Sequence, residues 1–200
     1  AESRQELELL ESHSGPLVEL LVKLNAWFPA ALPRGMRPLD YLETLQNAHR
    51  ALVVHGNYLA ADEIEFLAAR RENMSVVYCP RTHAFFGHEP YPLAEMLRGG
   101  VRLAVGTDSR ASNPDLSMLA ELRHIARSQA RPSGAEILKM GTLSAAEALG
   151  IDADYGSITP GKQAQFVAVP IFNRRLVPVE QVLRDDMPAF PWPPIGPRAS

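Results

Sequence analysis

Three short apolar runs alternate with helical patterns in the middle of the chain. Two runs cover residues 51–54 and 75–78, the third lies within 102–109 before Gly106-Thr107, and the helical patterns cover 62–70 and 92–98. A strand, helix, strand, helix, strand order is typical of parallel β-sheets, because parallel neighbours need a crossover connection. The sequence therefore predicts an α/β fold with a parallel sheet.

A chemically active side chain follows each of these runs. His55 comes directly after the first run, His83 follows the second, and Asp108 follows the third after Gly106-Thr107. Right-handed crossovers bring the carboxyl ends of parallel strands to one edge, where barrels and open sheets bind their ligands. We therefore expect His55, His83 and Asp108 to share one rim.

Composition excludes several classes of protein. The chain has 200 residues, of which 46% are hydrophobic and 22% charged, so it can bury a substantial core. Its net charge of −3 and its scattered basic residues argue against nucleic acid as a partner. No apolar stretch reaches the roughly 18–20 residues of a membrane span. A single cysteine, Cys79, cannot form an internal disulfide, and we expect a cytoplasmic protein.

Length and composition predict how the chain divides. An intact (β/α)8 barrel needs about 250 residues, whereas this sequence shows three complete strands and starts without an initiator methionine. We expect residues 1–150 to form the second half of such a barrel and 151–187 to form part of a small β domain. The turn at 156–161 and the apolar run at 166–169 indicate that β domain. We expect residues 188–200 to form a proline-rich tail.

Several longer motifs resemble one family. They are VVHGNYL (53–59), VVYCP (76–80), GVRLAVGTDSRASNPDLSMLAELR (100–123), TLSAAEALGI (142–151) and GSITPGKQAQFVAV (156–169). Together they resemble the amidohydrolase superfamily, in the cytosine deaminase-like branch that includes chlorohydrolases, guanine deaminases and S-adenosylhomocysteine deaminases. The resemblance implies an α/β fold: the C-terminal half of a metal-dependent-hydrolase TIM-like barrel, plus part of a small β-sandwich.

The resemblance also implies site residues. In this family a His-x-His pair, a further His and an Asp that ends the eighth strand hold a divalent metal, and Asp108 matches that Asp. His55 matches the sixth-strand histidine, and Glu2 matches the acid–base glutamate of a His-x-x-Glu element. The other ligands would lie in the N-terminal half of the same polypeptide, and without that half we expect no activity. The alternatives are a turn-capping Asp108, a core His55 and an ordinary first-turn Glu2.

These residue types fit hydrolysis of a carbon–nitrogen bond. Bound Zn²⁺ or Fe²⁺ lowers the pKa of its water toward about 7. The resemblance gives Asp108 the role of metal ligand and acceptor of the water proton, His55 that of hydrogen-bonding the nucleophile, and Glu2 that of protonating the ring nitrogen. We expect deamination of a purine-like or other N-heterocycle. Hydrolysis of a ring halide or cyclic amide remains open, as does a catalytically inactive barrel that serves as a binding or structural protein.

Substrate contacts are expected from loop residues. Many family members have Ser-Asn after the Cys-Pro of the seventh strand, whereas this chain has Arg81-Thr82-His83. We expect Arg81, His83 and Arg110 to bind substrate, with solvated or salt-bridged roles as alternatives. Cys79 is expected to be a buried small hydrophobe. The partner is a small N-heterocyclic molecule, and the sequence leaves a homo-oligomer open.

Overall fold

The computed structural model describes residues 1–128, 132–173, 175, 177–184 and 186–192. Within these ranges the elements in chain order are α1 (Arg4–Ser12), α2 (Pro16–Lys23), a 3₁₀ helix (Pro29–Ala31), α3 (Pro38–Leu45), β1 (Ala51–Val54), α4 (Ala61–Ala69), β2 (Met74–Tyr78), α5 (Pro80–Phe85), α6 (Leu93–Gly99), β3 (Leu103–Val105), α7 (Met118–Ala126), α8 (Gly134–Met140), α9 (Leu143–Leu149), β4 (Phe166–Ala168), α10 (Pro178–Arg184) and β5 (Phe190–Trp192). The predicted α/β class is confirmed. None of the helices in the described ranges is long and apolar enough to cross a lipid bilayer.

The chain divides into two compact units. The first unit contains residues 1–77 and 87–102, and the second contains 78–86 and the described part of 103–200.

The first unit is built on two parallel strands. β1 and β2 pair parallel, as the strand and helix order predicts, and Ala51 lies opposite Met74 and Val54 opposite Val77. Valines suit these positions, because β-branched side chains pack well on a pleated surface. Helix α4 packs on α3 and on α6. The buried apolar core of this unit consists of Leu42, Ala51, Leu59, Ile64, Leu67, Met74, Val76, Leu93, Met96 and Val101.

β1 is less buried than its apolar sequence predicts. Ala51 is buried, but Leu52 and Val54 are 41% and 48% exposed. Side chains alternate between the two faces of a strand, so alternate positions of β1 point away from the core of the first unit. β2 is buried along most of its length. β1 is therefore the more exposed of the two paired strands.

The second unit packs helices around β3. Helices α7, α8 and α9 all contact β3, and α10 packs on α7 and α8. The backbone N–H of Gly106 donates to the carbonyl of Tyr78 at 2.9 Å. Its core includes Leu103, Ala104, Val105, Leu122, Ile125, Ile137, Met140, Ala146, Ala148 and Leu183.

Three short elements in this unit differ from the sequence-based expectation. Pro80 is the first residue of α5, in a segment that the sequence places in a loop, because proline is well suited to the first turn of a helix. β5 pairs antiparallel with β4 and lies where the proline content predicts an irregular tail. Helix α10 was not predicted. Tail positions 193–200 lie outside the described residues.

Candidate active site

His55 is held in a strained conformation directly after β1. Its backbone φ is 67°, in the left-handed region that non-glycine residues rarely occupy. Its N–H donates to the carbonyl of Val77 at 2.9 Å, and its own carbonyl accepts a 2.8 Å hydrogen bond from the Tyr91 hydroxyl. Such outliers persist only where the surroundings enforce them, and they concentrate at functional sites.

Gly56 completes this turn. Its φ is 63°, and a Cβ at this position would lie 3.1 Å from Leu59 Cδ1 and 3.2 Å from Val76 Cγ1. Glycine is therefore required both by the left-handed backbone and by the close approach of these two side chains. The His-Gly pair in the sequence thus has a specific geometric cause.

Glu2 lies beside His55. Glu2 Oε2 is 3.9 Å from His55 Nε2, and both side chains are partly exposed. The Asn57 side chain donates to the Glu2 carbonyl at 2.8 Å, which fixes the chain just before α1. Ser3 caps α1 by accepting from the N–H of Glu6. The structure therefore brings together two of the predicted catalytic residues, although they are far apart in the sequence.

Asp108 ends the β3 segment in the second unit. Its φ is 57°, again left-handed, and the residue is exposed. Within the described part of the chain, its carboxylate makes one hydrogen bond, from Ser112 Oγ at the long distance of 3.5 Å. The carbonyl of Thr107, just before it, accepts a 2.8 Å bond from Asn113 Nδ2.

Asp108 fits the role of a metal ligand. A carboxylate oxygen is a normal ligand for Zn²⁺, and the oxygens of Asp108 are largely uncommitted. Cys79 is buried in the core, so its sulfur is not exposed as a ligand of the kind found in many structural zinc sites. Among the described residues, Asp108 is thus suited to hold a divalent metal through oxygen.

The three predicted substrate-binding residues have different surroundings. Arg81 Nη1 lies 2.6 Å from Asp115 Oδ1 and 3.6 Å from Glu121 Oε1. The hydrogen bond from Arg81 lowers the pKa of Asp115 below its usual value. His83 is buried, with its ring edge-on to Tyr78 at 5.8 Å between centroids.

Arg110 is the most accessible of these residues. It is exposed, and its guanidinium donates to the carbonyl of Pro114 at 3.3 Å. Substrate contact by Arg81, His83 and Arg110 stays a prediction.

Four polar residues beneath the predicted ones were missed by sequence analysis. They are Asn57, Tyr91, Asn113 and Glu121, and each hydrogen-bonds to the backbone or side chains around a predicted residue. Glu121 is fully buried, and this burial raises its pKa. The available signal was weak: only Asn113 lies in a turn-rich segment, where asparagine side chains commonly bond to nearby backbone.

Comparison with known proteins gives a consistent assignment. Residues 24–188 match the amidohydrolase family. A 5-methylthioadenosine/S-adenosylhomocysteine deaminase from Thermodesulfovibrio yellowstonii is 33% identical over 156 residues, which cover 74% of this chain and 35% of the relative. The chain thus spans about a third of the length of the curated relatives that it matches.

Two solved structures resemble the chain. Aminofutalosine deaminase from Helicobacter pylori has a TM-score of 0.73 at 26% identity, covering 91% of this chain and 45% of that protein. An adenosine deaminase from Xanthomonas campestris, with bound zinc, has a TM-score of 0.58 at 32% identity, covering 80% of this chain and 35% of that protein. Since the family match extends over most of its length, this chain belongs to the amidohydrolase family.

Proposed function

We propose that this chain carries part of the active site of a metal-dependent deaminase that hydrolyses a purine-like amine. The observation that carries the proposal is the Glu2–His55 pair, in which a carboxylate and an imidazole lie 3.9 Å apart at the end of a parallel strand. The names of the similar proteins, deaminases of methylthioadenosine, S-adenosylhomocysteine, adenosine and aminofutalosine, support adenosine-like substrates.

Each residue has a defined task in the proposed reaction. When bound, the metal supplies a water of lowered pKa, about 7, and so a nucleophile at neutral pH. Asp108 would hold the metal through a carboxylate oxygen and would accept, on the same carboxylate, the proton that the water gives up. His55 donates a hydrogen bond to the attacking oxygen and stabilises the charge on it.

Glu2 acts on the substrate itself. Its carboxylic acid protonates the ring nitrogen beside the attacked carbon, so that the carbon accepts the oxygen nucleophile and becomes tetrahedral. The proton held by Asp108 passes to the amino group. The carbon–nitrogen bond then breaks and ammonia leaves, while the hydroxyl proton on the new carbon–oxygen bond passes to the Glu2 carboxylate and leaves a carbonyl in the product.

The proposed fold extends the observed one. We place residues 1–150 in the C-terminal half of a (β/α)8 barrel, 151–187 in part of a small β-sandwich, and 188–200 in a proline-rich tail. The exposed faces of Leu52 and Val54 support this placement, because parallel strands are normally covered on both faces. Exposed aromatic residues on the β4–β5 pair support a larger β domain in the same way.

Further metal ligands must come from outside residues 1–200 under this proposal. The family resemblance assigns three histidines to the metal besides Asp108, and we place them in the N-terminal half of the barrel. The metal is Zn²⁺ or Fe²⁺, and a zinc-containing similar structure supports zinc. A cytoplasmic location stays a prediction.

Ammonia release tests the proposal. The natural polypeptide that carries these residues is incubated with 5′-methylthioadenosine, S-adenosylhomocysteine and adenosine, and ammonia is measured. We expect Glu2→Gln and Asp108→Asn to lose roughly 100-fold or more in kcat, the usual contribution of an acid–base group. Exposed Glu11→Gln, on the helix that follows Glu2, and exposed Asp152→Asn serve as matched controls that keep full activity.

A parallel assay separates the alternatives. In separate incubations, the same protein is given 6-chloropurine riboside, from which chloride release is measured, and adenosine, from which ammonia release is measured. Ammonia release that depends on Glu2 and Asp108 supports the deaminase. Chloride release without ammonia release contradicts it in favour of a halide hydrolase, and full activity in either variant contradicts the assigned roles.

A further inference from the structure

A fully buried carboxylate lies beneath the loop that carries Asp108. Glu121, on α7, has no exposed surface, and its two oxygens accept hydrogen bonds from different donors. Oε2 accepts from the backbone N–H of Arg81 at 2.9 Å, and Oε1 accepts from Asn113 Nδ2 at 2.6 Å. Buried carboxylates are expensive unless they are paired in this way, so this one has a specific structural role.

Asn113 connects the Glu121 carboxylate to the backbone of the loop that carries Asp108. Its Nδ2 donates both to Glu121 and to the carbonyl of Thr107 at 2.8 Å, and its Oδ1 accepts from the N–H of Leu116 at 3.1 Å. The side chain is buried and commits both donors and an acceptor. It therefore has one orientation, which Glu121 selects.

The Thr107 carbonyl controls the direction of Asp108. The peptide group between the two residues is planar, so fixing the Thr107 oxygen also fixes the plane that contains the Asp108 N–H. Asp108 then adopts a φ of 57°, which is unfavourable for a residue with a Cβ and needs support from its neighbours. The hydrogen bond from Asn113 provides support at the adjoining peptide.

A second contact, from Ser112, restricts the orientation of the Asp108 carboxylate itself. Ser112 Oγ lies 3.5 Å from Asp108 Oδ2 and 2.9 Å from Thr82 Oγ1, and both hydroxyl-bearing residues are buried. Ser112 and Asn113 are adjacent in sequence, so the anchor at Asn113 also holds Ser112 in place.

We propose that Glu121 and Asn113 are positioning residues, which act through the Thr107 carbonyl to hold the Asp108 carboxylate in the orientation that binds the metal. This inference rests on the proposed function, because it assigns Asp108 to a metal. Neither residue touches the metal or the substrate in this scheme. Their role corresponds to the outer hydrogen-bond partners that orient metal ligands in other proteins.

Two variants and one matched control test the role. Glu121→Gln keeps the shape of the side chain, but its amide offers one acceptor where two donors require acceptors. Asn113→Ala removes the link to Thr107. Gln181→Ala is the control: Gln181 is also buried in the second unit and bonds to the backbone of Phe172 and Asn173, far along the chain from the Asp108 loop.

Metal binding and kinetics are measured on the natural polypeptide. Zn²⁺ affinity is determined by competition with a chelator, and the Co²⁺-substituted protein is examined by visible absorption. We expect Glu121→Gln and Asn113→Ala to bind Zn²⁺ about 10–100-fold more weakly, to show an altered Co²⁺ spectrum, and to lose kcat with little change in KM. Gln181→Ala should lose thermal stability but keep all three properties.

A structural readout separates this inference from the proposed function. In the crystal structure of Asn113→Ala we expect the 107–108 peptide to turn and Asp108 to leave its left-handed conformation. That result supports the positioning role even if the wild-type protein releases no ammonia. An Asp108 unchanged in conformation in this variant, or wild-type Zn²⁺ affinity in both variants, overturns it.

Discussion

The Tyr91 hydroxyl donates a 2.8 Å hydrogen bond to the backbone carbonyl of His55. This bond connects the loop before α6 to His55, the proposed catalytic histidine. It stabilises the left-handed backbone of His55, which is otherwise unfavourable for a residue with a Cβ.

Removing that hydroxyl should slow the reaction. A hydrogen bond contributes about 1 kcal/mol net, so Tyr91→Phe should lower kcat about fivefold if the whole loss appears in the activation barrier. Steady-state kinetics on the proposed adenosine-like substrate measure the change. Tyr41→Phe, at an exposed tyrosine, is the control. An unchanged kcat in Tyr91→Phe would show that His55 does not need this support.

Gly56→Ala should destabilise the first unit by about 2–4 kcal/mol, since it adds left-handed strain to steric overlap with Leu59 and Val76. Gly87→Ala is a matched control, because Gly87 has a similar φ of 65° but no described atom within 4 Å of its added Cβ. Urea unfolding of both variants should therefore show the larger loss for Gly56→Ala. Equal losses would mean that the close contacts do not matter.

The N-terminal cap of α8 should make the folding stability depend on pH in the acid range. Ser133 Oγ donates to Glu136 Oε2 at 2.6 Å, and its N–H donates to the same oxygen. These bonds lower the pKa of Glu136, so their stabilisation is present above its unfolded pKa, about 4.5, and is lost as pH falls through the folded pKa. Ser133→Ala should cost about 1 kcal/mol at pH 7 and less at pH 3.5.

Ser117→Ala is the control for that cap. Ser117 caps α7 by accepting from the N–H of Ala120, without a carboxylate partner at the third helical position. Its unfolding penalty should change little between pH 7 and pH 3.5. A Ser133→Ala penalty that stays constant over the same range would contradict the assigned role of Glu136.

The surroundings of His124 should make the folding stability depend on pH closer to neutrality. Burial lowers its pKa, and the Arg81 and Arg127 cations lower it further. The folded state therefore disfavours the charged imidazole, so stability is complete above pH 6.5 and falls as pH decreases through the folded pKa. His124→Gln should flatten the stability difference between pH 7.5 and pH 5.5, whereas exposed His49→Gln should not. Thermal unfolding at both pH values measures this.

Local patterns predicted the strands and the polar residues that follow their carboxyl ends. Apolar runs followed by His55 and Asp108 were sufficient, because strand burial and turn residues are encoded within a few positions. α5 was missed, since Pro80 can begin a helix or a loop and the sequence alone does not decide between them.

The supporting polar residues were beyond sequence analysis for a different reason. Glu121 is buried on α7 together with Leu122 and Ile125, but a glutamate in a helix is usually exposed. Its burial depends on donors from Asn113, eight residues away, and from Arg81, forty residues away, which both approach it only in the folded chain. The left-handed backbones of His55 and Asp108 likewise depend on tertiary hydrogen bonds, and no local signal reports them.

The left-handed backbone at His55 and Asp108 lowers the stability of the folded chain, although the proposed chemistry needs these two side chains. Glycine adopts this backbone without steric penalty, and asparagine tolerates it better than most residues. A library of variants selected only for resistance to heat should therefore enrich Gly at position 55 and Gly or Asn at position 108, and the enriched proteins should be inert. Selection for turnover in the same library should return His at position 55 and Asp at position 108. The two positions would then be sites at which folding stability is lower than it could be because activity requires the residue.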